Sequence, residues 1–286
     1  MPARRRPTVR LRKLGTELHR LRESAGMTLQ EASELLERSV ASISNIENGQ
    51  VRIPVRDLRV ILDAYGVTEE RKREGLLALA RDGNKKGWWQ SYSDVLSDVY
   101  ADLISLEAEV ASVRTFEMGL VPGLLQTEDY TRAVFQANRL TAGSQDIERL
   151  VGVRMARQRV LTREESPLRL WAVVGEAALR QRLGGPKVLR AQLHRLVEVA
   201  ELDNVTVQVL PFTAEVHPSV EGAFTILTFP EPTDLDVVHL ESLTSSLYVE
   251  HEADVGRYSL AFEHLQAAAL DTVDSRRLIR DMANEL

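Results

Sequence analysis

The chain contains no cysteine. Nothing in it is disulfide-stapled, and thiolate chemistry is excluded. No apolar run is long enough to span a bilayer. No apolar segment follows the basic start, so residues 1–13 do not read as a secretory signal. The six histidines are His19, His194, His217, His239, His251 and His264. No two of them stand at i, i+4, and no H-E-x-x-H or carboxylate-flanked cluster is present. The G-x-S-x-G, G-x-G-x-x-G and phosphate-loop patterns are also missing, and Gly184-Gly185 is not followed by Lys and Ser or Thr. With 42 Asp and Glu in the chain, no single pair of carboxylates is informative as an acid and base. The expectation is a cytoplasmic protein that is not an enzyme, with no catalytic residues, no metal, no cofactor and no membrane contact.

Charge is present in quantity but unevenly placed. The 286 residues carry a net charge of −6. Residues 1–87 hold 18 Lys and Arg against 12 Asp and Glu, a net of +6. The remaining 18 basic and 30 acidic residues give residues 88–286 a net of −12. A basic module joined to an acidic one is the electrostatic footprint of a DNA-binding head on a body that does not bind DNA. The length also suggests two domains.

The stretch Met27–Gly49 organises the head. Thr28 is an N-cap with Glu31 three residues on, the pattern of a capping box. Leu29, Ala32 and Leu36 form one apolar face. The first helix should end near Glu37-Arg38, and Ser39 caps the next. Val40, Ile43 and Ile46 continue at i, i+3 spacing, and Asn48-Gly49 supplies a stop. Helices this short need neighbours. Leu14, Leu18 and Leu21 form a stripe before them, and Leu58, Ile61, Leu62 and Tyr65 one after. The solvent face of the second helix carries Ala41, Ser42, Ser44 and Asn45 in place of the usual Lys and Glu. Small uncharged side chains allow close approach to a groove, and Asn can pair bidentately with adenine.

These residues, from Gly26-Met27-Thr28 through Ile43-Ser44-Asn45-Ile46-Glu47-Asn48-Gly49, resemble the XRE (phage-repressor-like) helix-turn-helix family over about residues 12–67. The resemblance implies that Glu47 is structural and pairs with Arg22. It implies base-facing positions at Val40, Ala41 and Asn45, and phosphate positions at Ser39 and Ser44. Ser42 and Arg52 join the expected DNA-binding set through their place on the same surface. The first position of the scanning helix, often Gln in the family, is Leu29 here.

Along the rest of the chain, residues 1–13 read as a basic N-terminal arm with Arg4, Arg5, Arg6, Arg10, Arg12 and Lys13. It is either a solvated tail or an arm that reaches phosphates or a minor groove. Residues 14–82 read as a five-helix, all-α head, 83–87 as a linker, and 88–286 as an acidic α+β body. Trp88 and Trp89 are expected to plug the body's core. Strand-like stretches at 110–116, 168–174, 205–211, 223–229, 236–241 and 245–250 predict a mixed or antiparallel sheet of about five strands. Two helices, near 254–268 and 272–284, close the chain. Arg114, Glu117, Gln126 and Tyr130 flank the apolar turn at Pro122-Gly123. They line a ligand or partner pocket if the strand before the turn and the helix after it converge.

The ordered set Gly87-Trp88-Trp89, Val121–Thr127, Val205–Pro211 and Ser275 resembles the C-terminal domain of Scr-type antitoxin-like regulators, which are XRE-headed. That resemblance implies a transcriptional regulator, often encoded beside a small partner protein. The leading expectation is a homodimer that reads double-stranded operator DNA with helix 40–48 and is regulated through the body. The alternatives are an antitoxin whose body captures a small partner and a regulator that senses a small-molecule effector.

Overall fold

The computed structural model describes residues 9–82, 88–137, 144–215, 217–218, 222–230, 236–242 and 245–286. By contact, the described residues up to Gln90 form one unit and those from Ser91 onward another.

The first unit holds five α-helices: α1 (Val9–Ser24), α2 (Leu29–Leu35), α3 (Val40–Glu47), α4 (Val55–Ala64) and α5 (Glu70–Asp82). The capping box at α2 is formed in both directions. Thr28 Oγ1 accepts from the Glu31 backbone N–H at 3.2 Å, and Glu31 Oε2 accepts from the Thr28 N–H at 2.8 Å. Ser39 Oγ caps α3 by accepting from the Ser42 N–H at 3.1 Å. The apolar stripes read from the sequence converge on one core that includes Leu14, Leu18, Ala32, Ile46, Leu58 and Leu62.

Two backbone details hold α3 against α1. A Cβ on Gly15 would stand 2.3 Å from the Glu47 carbonyl oxygen and 2.7 Å from that of Ile46. A Cβ on Gly49, at φ +65°, would stand 2.8 Å from the backbone of Leu11 and Arg12. The C-terminal end of α3 is therefore seated directly on the α1 backbone, which only glycine at position 15 allows.

The structure departs from the sequence reading at two places in this unit. Arg10, Arg12 and Lys13, expected in the arm, lie on α1, with Arg10 and Lys13 buried. The arm residues 1–8 and the linker residues 83–87 lie outside the described residues. Trp88 and Trp89 fall with the first unit, on a 3₁₀ turn (Trp88–Tyr92) that begins there. They stack edge-to-face on each other at 6.0 Å, and Trp88 is 42% exposed. They do not plug the core of the body.

The second unit is a six-stranded mixed sheet with helices. Its strands are β1 (Ser112–Glu117), β2 (Arg169–Gly175), β3 (Val205–Leu210), β4 (Phe224–Thr228), β5 (Val237–Glu241) and β6 (Ser246–Val249), in the order β3-β2-β1-β4-β5-β6. Each of the six strand-like stretches read from the sequence overlaps one of these strands, in keeping with the expected sheet of about five. The first three pair in parallel and the last three antiparallel, with β1 and β4 antiparallel at the join. Parallel neighbours need long crossovers. These are supplied by α7 (Glu128–Ala137) and α8 (Ser144–Arg157) between β1 and β2 and by α9 (Glu176–Arg180) and α10 (Pro186–Val199) between β2 and β3, while α6 (Asp98–Glu107) precedes β1. Pro186 opens α10. It occupies the first turn of α10, where its missing N–H costs nothing.

Side-chain parity divides the sheet into two faces. Phe116, Val173, Phe224, Ile226 and Val238 face α11 (Glu252–Ala268), whose Val255, Phe262 and Leu265 complete that core. The final helix, α12 (Thr272–Asn284), packs on α10 and β3. Its Ser275 Oγ accepts from the Val209 N–H at 2.9 Å on the edge strand β3.

Two stability predictions follow from the head. Gly15→Ala should lower its stability by about 1–3 kcal/mol through overpacking against backbone that has no room to move. Glu37 sits at φ +51°, a conformation costing a residue with a Cβ about 1–2 kcal/mol. Glu37→Gly should therefore hold or raise stability by up to about 1 kcal/mol, and Glu37→Val should lower it. Denaturant titration followed by circular dichroism checks both.

Candidate nucleic-acid interface

On α3 the buried residues Ile43 and Ile46 point inward. Ser39, Val40 and Ala41 are exposed, and Ser42, Ser44 and Asn45 are part-exposed. The six expected contact positions on this segment thus share one solvent-facing surface, and Val40 shows 37% of its surface. Ser39 Oγ, used as an acceptor in capping, keeps its O–H to donate. Ser44 is engaged locally, since Asn48 Nδ2 donates to its carbonyl at 2.8 Å and to its hydroxyl at 3.2 Å. The Asn45 amide makes no side-chain hydrogen bond among the described residues. Arg52, just beyond α3, is exposed.

Behind this surface lies the ion pair. Arg22 Nε donates to Glu47 Oε1 at 2.7 Å and Nη2 to Oε2 at 3.0 Å, a bidentate fork with both side chains more than nine-tenths buried. Arg22 Nη1 donates to the Met27 carbonyl at 2.7 Å, so the same guanidinium also pins the turn entering α2. His19 joins the pair, with Nδ1 2.7 Å from Glu47 Oε2 and 2.8 Å from Arg22 Nη2. Burial opposes the Glu47 charge, but the hydrogen bonds from Arg22 and His19 outweigh it and hold the carboxyl below its ordinary value. Tyr65 is pushed up to about 12 by burial, with the Glu47 charge adding to the effect. A second tie runs from Arg38 Nη2 to Asp57 Oδ2 at 2.5 Å and joins the α2–α3 turn to α4. Neither His19 nor the Arg38–Asp57 tie was singled out from sequence. Both partners are separated by tens of residues in polar positions that look like ordinary surface.

Of the four residues expected to line a pocket in the body, Arg114 stands apart from the other three. Arg114 and Glu117 are three apart on β1 and so project from opposite faces of the sheet. Arg114 lies on the α11 side, where Nη2 is 3.2 Å from Ser259 Oγ and 3.4 Å from Asp236 Oδ2, and its guanidinium lies over Phe262. Gln126 and Tyr130 are buried and fix the Pro122 turn. Gln126 Nε2 donates to the Val121 carbonyl at 2.7 Å, and the Val121 N–H donates to the Tyr130 hydroxyl at 3.3 Å. Two distant glutamines complete that clamp: Gln158 donates to the carbonyls of Gly123 and Gln126, and Gln192 bridges the Thr127 N–H and the Leu125 carbonyl. Among the described residues no three or more His, Asp and Glu are grouped so as to hold a metal ion. No described helix is long and apolar enough to cross a membrane.

Removing one partner of a buried pair leaves the other charge uncompensated. Glu47→Gln should cost about 3–5 kcal/mol at neutral pH. The Glu47 contribution is fully present above its ordinary pKa of 4.5 and is lost as pH falls through the lowered folded-state value. The unfolding transition of the head should therefore weaken below about pH 4.5, and less steeply in Glu47→Gln. Melting curves over a pH series check both.

A family model described as a helix-turn-helix domain matches residues 13–74. A second, described as a domain of unknown function (DUF5753), matches residues 100–281, which is more than half of the chain. No curated protein and no solved structure matches. The first match covers α1 to α4 and the ion pair that braces them, as in an XRE-like DNA-binding regulator, and the second covers the whole mixed sheet; the chain belongs to the DUF5753 family and carries a helix-turn-helix DNA-binding domain ahead of it.

Proposed function

We propose that this protein is an antitoxin-like transcriptional regulator that binds its operator as a homodimer and is controlled through its C-terminal domain. The observation that carries the reading is the surface of α3. It presents Val40, Ala41 and an Asn45 amide with no side-chain partner among the described residues, on a helix whose position is set from behind by Arg22 and Glu47. In the major groove, Asn45 reads an adenine edge, and Val40 and Ala41 meet thymine methyls or fit the groove. Ser39, Ser42, Ser44 and Arg52 hold phosphates and set the register. A dimer places two such helices about 34 Å apart, or a multiple of that, on a pseudo-palindromic site. The acidic body then answers to a small-molecule effector or to a small partner protein encoded nearby.

The test is binding to the DNA upstream of its own gene against random duplex over a salt series. The account expects sequence-selective binding whose log affinity falls with log salt at a slope of about −0.9 per phosphate contact. Weak, unselective binding at every salt concentration would refute operator recognition by the head. Asn45→Ala should cost about 1–3 kcal/mol on the operator and relax specificity at one position. An equal loss on random DNA would show that Asn45 holds backbone and reads no base.

A further inference from the structure

The face of the sheet opposite α11 carries an unusual row of polar groups. Glu117 ends β1, and the register Phe116↔Phe224 and Thr225↔His239 shows how β1, β4 and β5 align there. Continuing that register by one residue sets Ala223 between Glu117 and Glu241, with the two carboxylates about 10 Å apart across two strand spacings. Neither carboxylate accepts a hydrogen bond among the described residues. Glu117 is part-buried and Glu241 exposed, so the row reaches solvent. Burial first, and then the charge of Glu241, push Glu117 up to about 7, against the opposing pull of Arg154 and Arg157.

Two further groups stand on this face. Arg154 is held by donating through Nε to the Tyr100 hydroxyl at 2.8 Å and through Nη1 to Gln126 Oε1 at 3.0 Å, and it stacks on Phe135. Its Nη2 makes no hydrogen bond among the described residues, and the clamped Pro122 turn keeps it in place. Arg157, beside it, is neutralised by Glu107, to which Nη2 donates at 2.6 Å. His239 lies two residues before Glu241 on the same face. It is 5% exposed, and its Nε2 is buried with no hydrogen-bond partner. Native interiors rarely leave such an atom unsatisfied. The row also sits at the carboxyl end of β1, where the strand order reverses between β1 and β4, and open α/β sheets bind ligands beyond the carboxyl ends of their strands at such reversals of order.

We infer that Glu117, Arg154 and His239 form a binding site for a small zwitterion of the free amino-acid class. The ligand's ammonium lies over Ala223 against Glu117 and Glu241, its carboxylate meets Arg154 Nη2, and His239 Nε2 takes a remaining polar atom. This deepens the proposed function, since it rests on the reading of the body as the regulatory half and names the chemistry of an effector.

The test is thermal unfolding and titration calorimetry of the full-length chain with each of the twenty standard L-amino acids as probe. Propylamine and propionate serve as single-charge controls. At least one amino acid should raise the melting temperature in a dose-dependent way, as a ligand that binds only the folded state must. The controls should leave it unchanged. Glu117→Gln, which removes a charge and little volume, should weaken that amino acid at least tenfold with the circular dichroism spectrum intact. Arg154→Lys should weaken it as well, and Glu241→Gln serves as the second carboxylate variant if Glu117→Gln does not fold. No shift with any amino acid, as when an ordered water alone satisfies His239, would overturn the inference. So would controls that act as strongly as the amino acid, or undiminished binding in the folded carboxylate variant. Binding is read without DNA, so a failure here leaves operator recognition standing, and a failure of operator recognition leaves this result readable.

Discussion

The arrangement of the helix-turn-helix depends on how closely α3 sits on α1. The contact is backbone on backbone at Gly15, where even a methyl group would collide with the Glu47 carbonyl at 2.3 Å. The Arg22–Glu47 fork then locks the same junction electrostatically. A buried ion pair is weak evidence for stability, because desolvation offsets most of the attraction. Its consequence here is positional. One guanidinium fixes both the C-terminal end of α3 and the turn into α2, so the two helices move as one body. A helix of eight residues has no stability of its own, and the orientation of α3 is set by that junction.

The body is built on a different logic. Its sheet is parallel on one side of β1 and antiparallel on the other, so helical crossovers join β1, β2 and β3 while short links join β4, β5 and β6. One face is an ordinary aromatic and aliphatic core under α11. The opposite face is apolar as well, with Val113, Ala172, Val174, Val207 and Val237 buried on it, but it also holds the row from Thr115 to His239, with Glu107–Arg157 and Arg154 with Tyr100 and Gln126 packed beside it. Buried polar networks of this kind hold a unique arrangement only if their members are satisfied. Most are, and the exceptions lie together near the carboxyl end of β1.

Local signals were legible in the sequence. Thr28, Glu31 and Ser39 cap as their spacing predicts, Gly49 takes a positive φ, and α12 runs over the expected residues 272–284. Strand positions were readable from alternation, but pairing was not. Short links among the later strands said nothing of β1 to β3, whose parallel order depends on the helices between them. Arg114 leaves the expected pocket set on parity: positions 114 and 117 cannot share a face of one strand, and that much was already in the spacing. Gln158 and Gln192, which clamp the Pro122 turn, carry no sequence signal, because a glutamine on an amphipathic helix looks like surface until the fold brings it to a backbone. Arg10 and Lys13 misled for the opposite reason, since a basic run reads as a tail even where it continues into a helix.

The central claim is that a braced α3 is the surface that meets DNA. Hydrogen-exchange mass spectrometry on the full-length chain, with and without the duplex from upstream of its own gene, tests it most directly. The account predicts new protection over residues 39–52, with the strands of the body unchanged. Protection confined to the body, or none under conditions where the duplex is bound, would contradict it.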